Sequence, residues 1–180
     1  MKYCGQCGHE VVVKIPPGDH LPRFVCEHCG TIYYQNPKLV VGCLPEWEGK
    51  VLLCRRSIEP RIGFWTLPAG FMENGESLEQ AALRESKEEA LAEVDLLAPL
   101  ASVSVPHANQ VHFMFYGRLL HGKYGVGLET SQVELFDEQQ IPWDEIAFAS
   151  MRYTLECFFA DRRRGQFGFH ISNWVKSDAV

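Results

Sequence analysis

The segment of residues 77–92 constrains this chain more than any other, because it begins as a core-facing helix and then turns acidic. Ser77 and Gln80 form an S-x-x-Q capping box, which fixes the start of the helix. With about 3.6 residues per turn, one stripe of the helix is made of Leu78, Ala82, Glu85, Glu89 and Ala92. The apolar start of this stripe predicts packing on a core, and its glutamates then need an explanation.

Glutamates at this spacing repel one another. Glu85 lies three residues before Glu88 and four before Glu89, and like charges so placed destabilise a helix by roughly 0.2–0.5 kcal/mol per pair. A divalent cation would turn that repulsion into attraction, and Mg²⁺ or Mn²⁺ prefers carboxylate oxygens. Arg84, one turn before Glu88, could orient it. The alternative is a solvated acidic face, which is common on helices.

The residues around the helix favour the metal interpretation. Gly70, Glu76, Arg84-Glu85 and Glu88-Glu89 follow the spacing Gly-x5-Glu-x7-Arg-Glu-x2-Glu-Glu. This pattern resembles the Nudix box, and residues 52–56 and 63–76 also resemble that family, so the likeness covers about residues 38–150. The departures are Ala69 for a glycine, Ser86 for an aliphatic residue, and Leu91-Ala92 for glycine and an aliphatic residue. They concern helix packing and the helix end, and no carboxylate is lost.

The resemblance implies a divalent-metal-dependent hydrolase that cleaves the pyrophosphate bond of a nucleoside diphosphate derivative. It also implies site residues. Glu85, Glu89, Glu88 and the Gly70 carbonyl are expected to hold magnesium or manganese. Arg84 is expected to hold a glutamate in place, and Glu76 to support the loop at the substrate. Clustered cations of this kind neutralise a diphosphate and lower the pKa of a water nucleophile.

A general base and phosphate-binding groups are also needed. The resemblance places the base in a later loop, where Glu129 is the first candidate and Glu134 the second. Gln132 stands where relatives often have glutamate, so a box glutamate remains an alternative base. Arg56 and then Arg55 are the first candidates for binding the substrate, since guanidinium groups suit phosphate. The alternative is that these arginines are surface charges.

Four cysteines form two pairs near the start of the chain. Cys4-x-x-Cys7 and Cys26-x-x-Cys29 have the spacing of a structural zinc site, and four thiolates would close its coordination shell. Unligated or redox thiols are the alternative. Within residues 1–36, three basic residues balance three acidic ones, whereas a nucleic-acid binder is expected to be basic. A zinc ribbon that does not bind nucleic acid is therefore predicted.

The pattern of elements predicts two domains, a zinc ribbon at residues 1–36 and a Nudix hydrolase domain at residues 37–180. In the second, strands are expected at 39–44, 51–54, 97–105, 110–120 and 133–136, a loop at 123–131, and helices at 77–92 and 147–162. This is an α/β class chain, and the resemblance implies the α+β Nudix sandwich, a mixed sheet between helices, with a small N-terminal zinc ribbon.

Composition bears on partners and location. The net charge is −6, and no apolar run approaches the roughly 18 residues of a membrane span. No membrane partner and a cytoplasmic location are therefore expected, and CxxC pairs fit a reducing compartment. A homodimer is also expected.

The resemblance leaves the substrate open. A zinc ribbon before a Nudix domain resembles the NADH pyrophosphatase branch, but residues 97–107 lack the SQPWPFP-type array of that branch. ADP-ribose or FAD therefore comes first, and NADH is the alternative. A non-catalytic Nudix regulator that senses a nucleotide is a rival from another class. Such regulators commonly lose box glutamates, and this chain keeps all three.

Overall fold

The computed structural model describes residues 1–175, and its chain divides into two compact units, Met1–Pro37 and Lys38–Val180. The first unit is a three-stranded antiparallel sheet of β1 (Val12–Lys14), β2 (Arg23–Val25) and β3 (Ile32–Tyr33). Gly8 and Gly30 each donate a backbone hydrogen bond to the first cysteine of a pair, at φ +74°. Glycine adopts this left-handed conformation without penalty, so each pair can sit on a tight turn.

The second unit is built on one mixed sheet. Its strands are β4 (Lys38–Trp47), β5 (Lys50–Arg56), β6 (Trp65–Thr66), β7 (Ala69–Phe71), β8 (Val94–Val105), β9 (Gln110–Leu119), β10 (Thr130–Phe136) and β11 (His170–Asn173). The strand order is β10-β5-β4-β9-β8-β11, with β6 on β5 and β7 on β4. The β4–β9 and β8–β11 pairs are parallel and the others are antiparallel.

Two helices cover the sheet, α1 (Leu78–Ala90) and α2 (Ala149–Arg164), and short 3-10 turns occupy Pro106–Ala108, Glu138–Gln140 and Trp143–Glu145. Neighbouring strand residues belong to different cores. Cys43 and Leu52 pack with the alanines of α1, whereas Leu44 and Leu53 pack with Leu155 and the phenylalanines of α2. Because successive strand side chains point to opposite faces, the sheet lies between the two helices.

The predicted fold class, a mixed sheet between helices, is confirmed. The capping box at Ser77 is confirmed as well, with the Ser77 hydroxyl accepting from the Gln80 backbone and the Gln80 side chain accepting from Ser77 N–H. The predicted loop at 123–131 is wrong at its end, since β10 begins at Thr130. Strand β11 was not predicted. Within residues 1–175, no helix is long and apolar enough to cross a membrane.

Helix α1 ends at Ala90, two residues before the prediction, and Leu91 caps it in the left-handed conformation with φ 48°. The N–H of Leu91 bonds to Lys87 O, as in the αL type of helix ending, and that of Ala92 bonds to Ser86 O. Glycine is the residue that usually takes this position, because a Cβ is strained there. Leu91 is 57% exposed, so little apolar burial offsets the strain.

We therefore expect Leu91→Gly to stabilise the protein by about 0.5–1 kcal/mol, the relief of left-handed strain less the entropy cost of glycine. Chemical denaturation measures the change. Leu83→Gly is the matched control, because Leu83 is also an exposed leucine of α1 but lies inside the helix. That control should destabilise by about 1 kcal/mol. A loss of stability in both variants would contradict this account of the helix end.

Candidate active site

Two helix carboxylates meet one short strand. β7 pairs with β4 through Ala69↔Gly42 and Gly70↔Val41, which brings its backbone against α1. A Cβ on Gly70 would overlap the carboxylate of Glu85, so only glycine allows this approach. Glu89 accepts a hydrogen bond from Ala69 N–H at 3.0 Å. The acidic stripe therefore faces the protein at β7 and is not a solvated surface.

Both carboxylates are buried, Glu85 at 8% and Glu89 at 7% exposure. Burial disfavours the charged form and raises the pKa of Glu89 to about 7, against a hydrogen bond from Ala69 N–H that lowers it. Burial also raises the pKa of Glu85, although Arg84 opposes the rise. The negative charge of Glu129 adds to the rise at both residues. A bound cation would therefore stabilise the charged forms of these two buried carboxylates.

Arg84 holds the acidic residues around it. Its guanidinium donates to both oxygens of Glu76, with Nε–Oε1 2.6 Å and Nη2–Oε2 3.0 Å. Its Nη1 donates to Glu85 at 2.6 Å and to Glu88 at 3.1 Å, and Nη2 donates to the Phe71 carbonyl. The Arg84 hydrogen bonds lower the pKa of Glu76 to about 2. Arg84 therefore ties the helix to the loop that precedes it.

Glu88 differs from its neighbours, because its side chain is 60% exposed and contacts Arg84 from the solvent side. Its backbone carbonyl, however, lies against Gly127, where any Cβ would overlap it. Gly127 N–H also donates to Glu89 O, and Gly125 N–H to Ala90 O. The loop after β9 thus caps the open carbonyls at the end of α1.

This docking brings the predicted base, Glu129, to the site. Glu129 is exposed, and its backbone carbonyl accepts a hydrogen bond from Ser57 N–H at 3.0 Å. Its charge acts on Glu85 and Glu89, as the pKa shifts above require. The second candidate, Glu134, lies farther along β10 and is hydrogen-bonded to Gln132. The effect of Glu129 on both buried glutamates supports it as the first candidate, and its role as the base stays a prediction.

The two predicted substrate arginines hold protein groups. Arg56 donates through Nε to Pro60 O at 2.7 Å, and its guanidinium lies 5.2 Å from the ring centre of Phe148. Its positive charge also lowers the pKa of Glu89, so it lies within electrostatic reach of the site. Arg55 donates to Gly63 O at 2.8 Å and to the Gln132 side chain at 3.4 Å. A role for either in substrate binding stays a prediction.

The departures from the box pattern have local explanations. The Ser86 side chain is fully buried, and its hydroxyl donates to Ala82 O at 2.8 Å, so no polar group is left unpaired. Ala69 has a methyl group where the family has glycine, and the facing residue is Gly42, whose own Cβ would overlap that methyl. The methyl group of Ala69 on β7 therefore fits because Gly42, opposite it on β4, has no side chain.

The four cysteines also meet. Sγ–Sγ distances are 3.6 Å for Cys4–Cys29 and 3.5 Å for Cys7–Cys26, and all four sulfurs lie within 4.8 Å of one another. A tetrahedral zinc–thiolate shell has sulfurs about 3.8 Å apart, given Zn–S bonds of about 2.3 Å. The Tyr33 hydroxyl, 3.0 Å from Cys4 Sγ, lowers the pKa of that thiol to about 6. The set fits zinc.

The glutamates are spaced differently. Among residues 1–175, no three carboxylates bring oxygen atoms within 4.8 Å of one another, and the compact groups are the four cysteines and Cys7 with His9 and His28. Mg²⁺ fits the glutamates all the same, because it keeps several waters and takes one or two carboxylates plus substrate phosphates. Buried, partly uncompensated acids at Glu85 and Glu89 are suitable ligands for it.

Sequence reasoning did not find Gly127, Gly42 or the Phe71 carbonyl as parts of the site. A glycine gives no pattern of its own, and the overlap at Gly127 depends on a loop docked from 39 residues along the chain from Glu88. The one available signal for this loop was the run of residues 122–127, which contains three glycines and predicts irregular structure.

Two family models match the chain, NUDIX domain over residues 36–156 and Nudix N-terminal, of the zinc-ribbon type, over residues 2–35. The first match spans more than half of the chain. The chain belongs to the Nudix hydrolase family. The predicted resemblance is thereby confirmed, including the zinc ribbon ahead of the Nudix domain.

Relatives of this Nudix chain carry two kinds of name. An "ADP-ribose pyrophosphatase" of Methanocaldococcus jannaschii is 31% identical over 113 residues, which is 61% of this chain and 67% of that protein. The "NAD-capped RNA hydrolase NudC" of Escherichia coli is 36% identical over 107 residues, 58% of this chain and 39% of the relative. The match therefore spans about two fifths of that relative's length.

The fold of the whole Nudix chain has a close counterpart. A crystal structure of a NUDIX hydrolase from Nitrosomonas europaea is 51% identical, with a TM-score of 0.95, and covers 98% of this chain and 100% of its own. The ribbon and the hydrolase fold thus occur together in that protein.

The raised pKa of Glu89 predicts how stability depends on pH without magnesium. A carboxyl whose pKa is about 7 when folded and 4.5 when unfolded stabilises the fold at low pH and loses that contribution as pH rises from about 4.5 to 7. We therefore expect Glu89→Gln to gain roughly 2–3 kcal/mol over wild type between pH 5 and pH 8. Urea unfolding in Mg²⁺-free buffer measures it. A difference that does not change with pH would contradict the assignment.

Proposed function

We propose that this protein is a divalent-metal-dependent pyrophosphohydrolase that cleaves a nucleoside diphosphate derivative, with ADP-ribose or FAD as the first candidates. One observation carries the proposal most directly. Glu85 and Glu89 are buried together against the Ala69-Gly70 backbone, where burial and then the charge of Glu85 raise the pKa of Glu89. A fold seldom keeps such a pair unless a cation binds there, because an unpaired buried charge is costly.

The residues take separate roles. Glu85 and Glu89, with Glu88 and the Gly70 carbonyl, would hold Mg²⁺ or Mn²⁺, which supplies charge neutralisation at the diphosphate and acidifies water. Arg84 is a positioning residue, because it orients Glu85 and Glu88 while Glu76 anchors it to the loop. Arg56 and Arg55 are proposed to bind a substrate phosphate. Arg56 would exchange backbone carbonyl partners, which cost less to leave than a carboxylate, whereas Arg55 would also leave Glu145, whose carboxylate lies 3.9 Å away.

The chemistry is a hydrolysis. A water oxygen forms a bond to one phosphorus of the diphosphate, and the bond from that phosphorus to the bridging oxygen breaks. The Glu129 carboxylate accepts the water proton, and the leaving phosphate takes the bridging oxygen with its electron pair. Glu129 suits this role because it is exposed and is placed by the loop that docks on α1.

The relatives support the choice of substrate. The name of the Methanocaldococcus jannaschii relative points to ADP-ribose, in agreement with the missing SQPWPFP-type array. The NudC relatives favour a second candidate, a dinucleotide of the NAD type, either as NADH or at the end of an RNA. The neutral ribbon argues against an RNA partner.

The rest of the chain is proposed to support this function. Residues 1–36 form a ribbon that holds Zn²⁺ through four cysteines and performs no chemistry, because a closed shell has no open position. Residues 37–180 form the hydrolase domain. A homodimer and a cytoplasmic location stay predictions.

A substrate panel tests the activity. With Mg²⁺ present, wild type should hydrolyse ADP-ribose or FAD, with release of AMP, faster than it hydrolyses NADH, a nucleoside triphosphate or NAD-capped RNA, for which released nicotinamide mononucleotide is followed instead. Glu89→Gln should lower kcat by roughly a hundredfold or more, because a lost cation ligand removes several kcal/mol of transition-state stabilisation. Released AMP, separated by chromatography, is the measurement.

Glu93→Gln is the matched control, since Glu93 is an exposed glutamate just beyond the helix and should keep wild-type kcat. No turnover of any diphosphate would refute the enzyme. Nucleotide binding without turnover, measured by calorimetry, would instead support the rival hypothesis of a nucleotide-sensing regulator.

The general base has a separate test. Glu129→Gln should lower kcat by about a hundredfold with little change in KM, because the base acts in the transition state more than in binding. The acidic limb of the pH–rate profile should also flatten. Glu134→Gln tests the competing candidate, and a larger loss there than at Glu129 would reverse the assignment.

A further inference from the structure

Two histidines of the ribbon take no part in the function proposed above. His9 and His28 are both exposed, and their rings stack with centroids 3.6 Å apart and an interplanar angle of 30°. Each follows a zinc-binding cysteine at the same spacing, as Cys7-x-His9 and Cys26-x-His28. Because those two cysteines bring their sulfurs within 3.5 Å, the repeated spacing places the two imidazoles side by side.

The pair has a third potential ligand. The ligand atoms of Cys7, His9 and His28 all lie within 4.8 Å of one another, which is close enough for one ion to reach all three. Cys7 also belongs to the four-cysteine group. The Cys7 sulfur therefore belongs to two groups of ligands. The four cysteines are partly buried, whereas His9 and His28 are exposed to solvent.

The hydrogen bonding of His9 prepares it for a metal. His9 Nδ1 lies 3.1 Å from the Cys7 carbonyl oxygen, and a carbonyl can only accept, so Nδ1 carries the proton. In the neutral ring, Nε2 is then left with its lone pair free. Metal-binding histidines are commonly oriented in this way, by donating the other ring N–H to a backbone carbonyl.

We propose that His9 and His28, with the Cys7 thiolate shared between two ions, form a second metal site for a borderline-soft divalent ion such as Zn²⁺. Imidazole and thiolate ligands select this class of ion over Mg²⁺. Three protein ligands leave a tetrahedral ion with an open position, whereas four thiolates close the shell of the first ion. The exposed site therefore exchanges its ion with solvent, and the buried one keeps its ion.

Metal counting tests the second site. The untagged full-length chain is dialysed against Zn²⁺ with excess Mg²⁺, which occupies the glutamate site, and bound zinc per chain is measured by elemental analysis. We expect two zinc ions per wild-type chain, one of them removed first by a weak chelator. The variant His9→Ala/His28→Ala should bind one. The matched control is His20→Ala/His121→Ala, which removes two other exposed imidazoles and should still bind two.

Cobalt substitution separates the two sites. In the His9→Ala/His28→Ala variant, the cobalt–thiolate absorption of the four-cysteine site should remain, which shows that the ribbon still folds. One zinc per wild-type chain, or two in the double variant, would overturn the second site. Loss of both ions in the double variant would also overturn it, because the histidines would then be part of the first site. The outcome does not depend on the hydrolytic activity.

Discussion

The approach of two buried glutamates to the backbone of β7 is the constraint on which the rest of the hydrolase domain depends. Glu85 and Glu89 reach Ala69 and Gly70 only because Gly70 has no side chain and because β4 fixes the position of β7. Burying carboxylates is unfavourable, so the helix, the strand and the sheet must together hold them there. The packing of α1 and β7 on the sheet thus holds two carboxylates in a buried position that is unfavourable for them.

Compensation of this charge is unequal. Glu85 is paired with Arg84, whereas the hydrogen-bond partner of Glu89 within residues 1–175 is one backbone N–H. Burial raises the pKa of Glu89 to about 7, while hydrogen bonds from Nε and Nη2 of Arg84 lower the pKa of Glu76 to about 2. One arginine therefore distinguishes Glu76, which it neutralises, from Glu89, which it does not contact and which is the stronger candidate for binding a cation.

Local patterns predicted much of this arrangement from sequence. The capping box at Ser77 fixes the helix start, and the helical period then places Glu85 and Glu89 on the core side. Contacts made over long stretches of chain could not be predicted. Gly127 meets Glu88 only after the loop docks, and β11 joins the sheet through parallel pairing with β8, for which a four-residue strand has no distinctive pattern.

The ligand types account for the proposed use of two kinds of metal by one chain. An open carboxylate site binds Zn²⁺ more tightly than Mg²⁺ when both are equally available, so ligand affinity alone would not keep the ions apart. The thiolates of Cys4 and its partners remove this conflict, because they bind zinc far more strongly than carboxylates do and are gathered to the right spacing. A ribbon of this kind takes up the softer ion first, and the glutamates are then left to the abundant Mg²⁺ and the phosphates that bind with it.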